Sequence, residues 1–231
     1  VAPVPLRDAA AALQNYTPEL AQAVREGESK TDHYEDILGT YLVKLSALKI
    51  SENDSSEAAM LLKALSDFER IGDHALNLVE SAEELKSKNL ALSDAARPEL
   101  NVLLRAVEEI VDMTFQAFRD DDLEKAYRVE PLEQVIDILV ERLRAQHIKR
   151  LKDGACSIDT GVVYLDVLNN AERISDHCSN IAARLVGMEA GEDYDSHTLK
   201  NMMHHNPTKE YMLNYEQCRK DYLIPLEQLE A

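Results

Sequence analysis

Apolar residues recur at three- and four-residue steps along almost the whole chain, the signature of amphipathic helices. The first run extends from about Thr17-Pro18 to Ile50, with Leu20, Val24, Tyr34, Leu38, Tyr41, Leu45 and Leu48 on one stripe. Ser51-Glu52-Asn53-Asp54 breaks it. Ser55 or Ser56 is the expected cap of a second helix that carries Leu61, Leu65, Phe68, Ala75 and Val79 to about Ser87. A third begins between Ser93 and Pro98 and ends near Asp120-Asp121-Asp122. A fourth covers about Leu123 to Leu151 and stops at Lys152-Asp153-Gly154, and a fifth covers Ser157 to Val186, ahead of Gly187. After Gly191 the chain is richer in Tyr, His, Met and Asn, and reads as a helical extension packed on the bundle or on a neighbour.

The helices fall into two copies of one unit. Glu69-Arg70-Ile71-Gly72-Asp73-His74-Ala75-Leu76-Asn77 recurs 103 residues later as Glu172-Arg173-Ile174-Ser175-Asp176-His177-Cys178-Ser179-Asn180, identical at six of nine positions, and Glu28 and Asp32 match Glu133 and Asp137 at an offset of 105. The helix at about 93–120 has room for only its last turns in the first copy, in the Ala-rich stretch Leu6 to Leu13. The expected organisation is all-α. Two tandem antiparallel three-helix bundles occupy residues 1–91 and 92–188, the first short of part of its first helix, and an extension follows over 189–231.

Charge narrows the partners. Among 231 residues, 25 Lys and Arg face 43 Asp and Glu, for a net charge of −18. Such a chain repels a phosphate backbone, which argues against nucleic acid and for cations. Three cysteines without C-x-x-C spacing argue against a disulfide framework or a zinc ribbon and for a reducing compartment. No apolar run approaches the ~18 residues a bilayer requires, so no membrane insertion is expected, and the start lacks the layout of a signal peptide.

Four Glu-x-x-x-Asp pairs carry the candidate chemistry: Glu28/Asp32, Glu69/Asp73, Glu133/Asp137 and Glu172/Asp176. Residues four apart share a helix face, so each pair aims two carboxylates at one space at a repulsive cost of roughly 0.2–0.5 kcal/mol. All four flank the apolar stripe on the same rotational side. Within each hairpin the two pairs are equidistant from the turn: the first hairpin's midpoint falls at Ile50-Ser51 and the second's at Gly154. Four carboxylates per repeat then share one seam, with Asn77 or Asn180 one turn further along.

An oxygen-only donor set suits a divalent or trivalent cation, and bridging carboxylates can hold a multinuclear cluster; iron, Mn, Mg and Zn are not distinguished by the pattern. His74 and His177 directly follow the Asp and point elsewhere on the helix. The competing reading is structural: Arg70 can pair with Asp73 and Arg173 with Asp176 as ordinary i,i+3 ion pairs. Cys178 replaces Ala75 and reads as a packing residue, and His204-His205 as a surface pair. Glu-x-x-His, G-x-S-x-G, P-loop and Rossmann patterns are absent, and no nucleophile with a base stands out, so no enzyme is expected.

On Asp67-Phe68-Glu69-Arg70-Ile71-Gly72-Asp73-His74, on Tyr34-Glu35-Asp36-Ile37-Leu38-Gly39-Thr40-Tyr41-Leu42 and on Asn170 to Asn180, the chain resembles the PhoU family, over about Thr17 to Gly187. Within that family it is most similar to the PhoU-like cytosolic domain of bacterial Na⁺/phosphate cotransporter-like proteins. The resemblance implies a phosphate-uptake regulator with multinuclear metal held at Glu69, Asp73, Glu172 and Asp176, and by the hairpin geometry at Glu28, Asp32, Glu133 and Asp137. It also implies a cytoplasmic place at the inner face of the cell membrane. The implied partner is a transporter domain of the same chain or a separate phosphate transporter, with a homodimer as a further option. A first repeat short of a helix must either leave a gap or borrow a helix from a partner. A free-standing PhoU regulator, a di-metal carboxylate hydrolase or oxidase, and a purely structural scaffold are the alternatives.

Overall fold

A computed structural model of the chain describes residues 6–190, 201, 203 and 207–230. Its helices are α1 (Leu6–Gln14), α2 (Pro18–Ser46), α3 (Glu52–Ser87), α4 (Ala96–Asp120), α5 (Leu123–Lys152), α6 (Ile158–Ala190), α7 (Lys209–Cys218) and α8 (Ile224–Glu230), and no strand occurs among the described residues. Local chemistry sets most boundaries. Thr17 accepts from the Leu20 N–H with Pro18 at the first helical position, and Asp122 accepts from the Lys125 N–H. Asp121 and Gly154 turn the chain in the left-handed region.

Two boundaries depart from the sequence expectation. The cap of α3 is Ser51, whose side chain and that of Asp54 form a reciprocal capping box, so the helix starts a turn before Ser55. Gly187 does not end α6, which continues to Ala190. A single Gly costs an α-helix only about 1 kcal/mol relative to Ala.

α1–α3 form one three-helix unit and α4–α6 another, and the two meet along α3 and α6. Phe68, Ile71, Ala75, Leu78 and Val79 of α3 and Leu168, Ala171, Ile174, Cys178 and Ile181 of α6 are buried in one continuous core. Cys178 packs there as expected, and burial pushes its thiol up to about 12. The extension docks on the second unit: Tyr222, Leu223 and Leu226 enter its core, Tyr211 donates to Gln134, Tyr222 donates to Glu109, and Arg142 pairs with Glu227. His204 and His205 lie outside the described residues.

The α3–α6 contact repeats itself about a local two-fold. Asp67 accepts from His177 Nδ1 at 2.8 Å and Asn180 Nδ2 at 3.3 Å, while Asn170, 103 residues after Asp67, accepts from His74 Nδ1 at 2.9 Å and Asn77 Nδ2 at 3.1 Å. The two imidazoles stack between them with centroids 5.6 Å apart. Burial lowers the pKa of both rings, so both are held neutral and can stack without repulsion. Arg184 pairs with Asp67; its counterpart at the same offset is Ser81, which suits a neutral Asn170.

Candidate metal centre

The repeated motif divides between two faces of its helix. His and Asn face the other bundle, and Glu and Asp face the hairpin partner. Asn77 and Asn180, expected one turn along the carboxylate seams, instead reach across to Asn170 and Asp67. The reason is angular: each Asn follows its His by three residues and shares the face that the His buries against the opposite bundle.

In the second bundle, α5 contributes Glu133 and Asp137 and α6 contributes Asp176. One ligand oxygen from each lies within 4.8 Å of the others. Glu133 is only 1% exposed, and Asp137 and Asp176 are half-buried. If all three are ionised, each pair at that separation repels by about 3 kcal/mol at an effective dielectric of 20. Such a cluster requires protons or cations to offset it. Three oxygens without nearby thiolate or imidazole fit a hard cation that completes its shell with water or further carboxylate. Glu172, the fourth expected member, is held by Arg144 Nη2 at 3.2 Å and Arg173 stands 3.9 Å from Asp176.

The first bundle has Glu28, Asp32 and Asp73 at the equivalent positions of the sequence, but among the described residues only Glu133, Asp137 and Asp176 gather closely enough to hold a metal ion together. Burial and the charges of Asp73 and Asp32 together raise the pKa of Glu28. Glu69 is pushed up to about 7, first by desolvation and then by Asp73, with Arg70 offsetting part of the shift. Arg70 lies 3.2 Å from Asp73 and 3.5 Å from Glu69, which confirms that i,i+3 pairing takes a share of this motif. The two fourth acids have different neighbours. Arg144 pairs with Glu172, whereas the residue equivalent to Arg144 in α2 is Gly39, which brings no charge to Glu69.

Sequence reasoning pointed to eight carboxylates, of which the structure gathers Glu133, Asp137 and Asp176. It missed Arg144, Asp67 and Asn170. Arg144 had no repeat signal because its counterpart is a glycine. Asp67 and Asn170 are offset by the same 103 residues as the motif but differ in type, so identity matching passed over them.

Tandem three-helix bundles with repeated acidic pairs along the hairpin of each define a duplicated all-helical protein. A family model described as "PhoU domain" matches residues 5–82 and 100–185. The chain belongs to the PhoU family. It is 25% identical over 196 residues to the phosphate-specific transport system accessory protein PhoU homolog 1 of Thermotoga maritima, covering 81% of each chain. It is 27% identical over 189 residues to the accessory protein PhoU of Serratia marcescens, covering 81% of this chain and 76% of that one. The crystal structure of the phosphate transport system regulatory protein PhoU from Streptococcus pneumoniae superposes with a TM-score of 0.67 at 25% identity, over 82% of this chain and 90% of that one. That of PhoU from Pseudomonas aeruginosa superposes with a TM-score of 0.74 at 24% identity, over 80% and 88%. Among the described residues, no helix is long and apolar enough to cross a membrane.

Proposed function

We propose that this chain is a non-catalytic, metal-dependent regulator of phosphate uptake that works on the cytoplasmic side against a phosphate transporter. The observation that carries the metal part is the triad Glu133, Asp137 and Asp176, gathered within 4.8 Å and repeated in kind by Glu28, Asp32 and Asp73. The bound cation would be divalent or trivalent, singly or as a cluster. Its role would be to tie each hairpin and to turn an acidic seam into a neutral or positive face for a partner.

The names of the relatives support the regulatory part, and they favour an accessory protein of a phosphate transport system over a domain of a Na⁺/phosphate cotransporter. The sequence carries no nucleophile-and-base motif, which is why the reading is regulatory and not hydrolytic.

The test is complementation. In a bacterium whose own PhoU-type regulator is deleted, the wild-type chain restores control of phosphate uptake, whereas Asp137→Asn/Asp176→Asn/Asp32→Asn/Asp73→Asn, expressed at the same level, does not. Full restoration by that variant would separate the regulatory role from the metal. No effect of the wild-type chain in its native host would sink the regulatory role itself.

A further inference from the structure

The two seams are covered differently. On α5, residues Glu130, Glu133, Gln134 and Asp137 share one helix face, and Glu130 and Glu133 are buried, at 0% and 1% exposure. At the offset of 105 their first-bundle counterparts are Arg25, Glu28, Ser29 and Asp32. There Arg25 turns to Glu83 at 2.6 Å, Glu28 is half-buried and Asp32 is exposed. The second bundle therefore holds an extra acid one turn before Glu133, on a face with far less access to water.

The C-terminal extension covers that face. α7 packs on α5, and Tyr211, itself buried, donates to Gln134 Oε1 at 2.8 Å. Burial, and after it the charges of Glu130 and Glu133, raise the pKa of the Tyr211 phenol, so it stays protonated and remains a donor. From α6, Ser179 Oγ donates to Glu130 at 2.7 Å. The rest of the extension is an anchor. A π-helical turn at Arg219–Leu223 leads into α8, and there Tyr222 donates to Glu109 beneath the Arg105 guanidinium, 5.8 Å from the ring centroid. Leu226 is fully buried and Arg142 bonds Glu227 at 3.0 Å. None of these anchoring residues belongs to the seam, and Tyr211 is the part of the extension that meets it. The family match ends at residue 185, so the extension is an addition to the two repeats.

We propose that the extension is a strap over the second seam. Tyr211 closes the Glu130–Glu133 end of the site to water, and the docking of α7 sets how fast a cation enters and leaves Glu133, Asp137 and Asp176. Lifting α7 from α5 opens the seam. The first seam, with Asp32 exposed, has no equivalent cover among the described residues. The role rests on the metal reading of the triad, and the two can fail separately.

The full chain carrying Asp32→Asn/Asp73→Asn, which confines metal to the second seam, is loaded with Mn²⁺, or with Zn²⁺ or Fe where Mn²⁺ does not bind. Release to excess EDTA is then timed with and without Tyr211→Ala and Tyr211→Phe. In parallel, the same chains without metal are labelled with a carbodiimide and an amine, and the label is mapped to each carboxylate by mass spectrometry. Tyr211→Ala should speed both metal release and the labelling of Glu130 and Glu133 by about tenfold or more, the factor that one net hydrogen bond and the burial of a ring supply. Tyr211→Phe, which loses only the hydrogen bond, should fall between. Labelling of Glu28 and Glu69 should not change, which separates a lifted strap from a loosened fold, and equal rises in both bundles would overturn the proposal. Metal held by the second seam and released equally fast with and without Tyr211→Ala would also overturn it, with the metal reading intact. A second seam that takes up none of the three metals would overturn the metal reading and the strap's role with it.

Discussion

The pair Glu99–Arg150 offers the sharpest energetic test of the second bundle. The partners sit 2.6 Å apart with side chains 5% and 12% exposed. Among the described residues, Arg150 Nε and Nη2 reach no acceptor, and Glu99 is the only carboxylate bonded to this guanidinium. Glu99→Leu leaves a buried cation against a Tyr164 ring, and the cost of breaking a buried pair from one side is about 3–5 kcal/mol. The ring returns only part of that, about 0.5–2 kcal/mol. Replacing both partners, Glu99→Leu/Arg150→Leu, installs the leucine that α2 already carries at position 45 and removes the charge problem. It should fall within about 1 kcal/mol of the parent. Urea denaturation followed by far-UV circular dichroism reads the difference. If the two bundles unfold separately, amide exchange in α4 localises it. A single variant that costs less than about 1 kcal/mol, or a double variant as unstable as the single, would refute the burial reasoning.

Three further outcomes follow from particular contacts. The Glu69 carboxyl has a folded pKa of about 7 against an ordinary 4.5, so the fold favours its protonated form. Metal-free protein should then lose about 1–2 kcal/mol, after discounting for solvent screening, as pH rises from about 4.5 to 7, and level off above. Glu69→Gln should flatten that slope in a denaturation series, and an unchanged slope would refute the assignment. A Cβ at Gly161 would stand 2.8 Å from His147 Nε2, so Gly161→Ala should cost about 1–3 kcal/mol. Gly161→Ala/His147→Leu, which copies Ala58 and Leu42 of the first bundle, should recover most of it in the same melts. Asp67→Asn makes the α3–α6 contact symmetric with Asn170 but replaces the carboxylate that pairs with Arg184 by a neutral amide, and should destabilise by about 1–3 kcal/mol. Adding Arg184→Ser, the residue found at 81, should reduce that loss by at least half.

The helical order was legible because amphipathic periodicity and the breaks at Ser51, Asp121 and Gly154 are local features. The duplication was legible because the motif recurs almost intact. What escaped notice depends on how helices rotate against one another. The spacing from Asp73 to Asn77 fits a seam ligand as well as it fits a bundle contact, and only the packing of α3 on α6 decides between them. The value of Arg144 depends on Glu172 lying one helix away, and the start of α3 was misjudged because Ser51 and Ser55 offer the same chemistry four residues apart. The short first helix was visible as arithmetic, but the exposed Tyr41–Leu48 face it leaves needed coordinates.

The central claim is that the carboxylate seams hold a hard cation, and elemental analysis tests it most directly. The chain, purified without added metal or chelator, would be compared with Asp137→Asn/Asp176→Asn and with Asp32→Asn/Asp73→Asn. Each double variant should lose the metal of its own seam and keep that of the other, and the combined variant should lose both. Metal content unchanged in the combined variant, or absent from the parent even after titration with Mg²⁺, Mn²⁺, Fe and Zn²⁺, would contradict it.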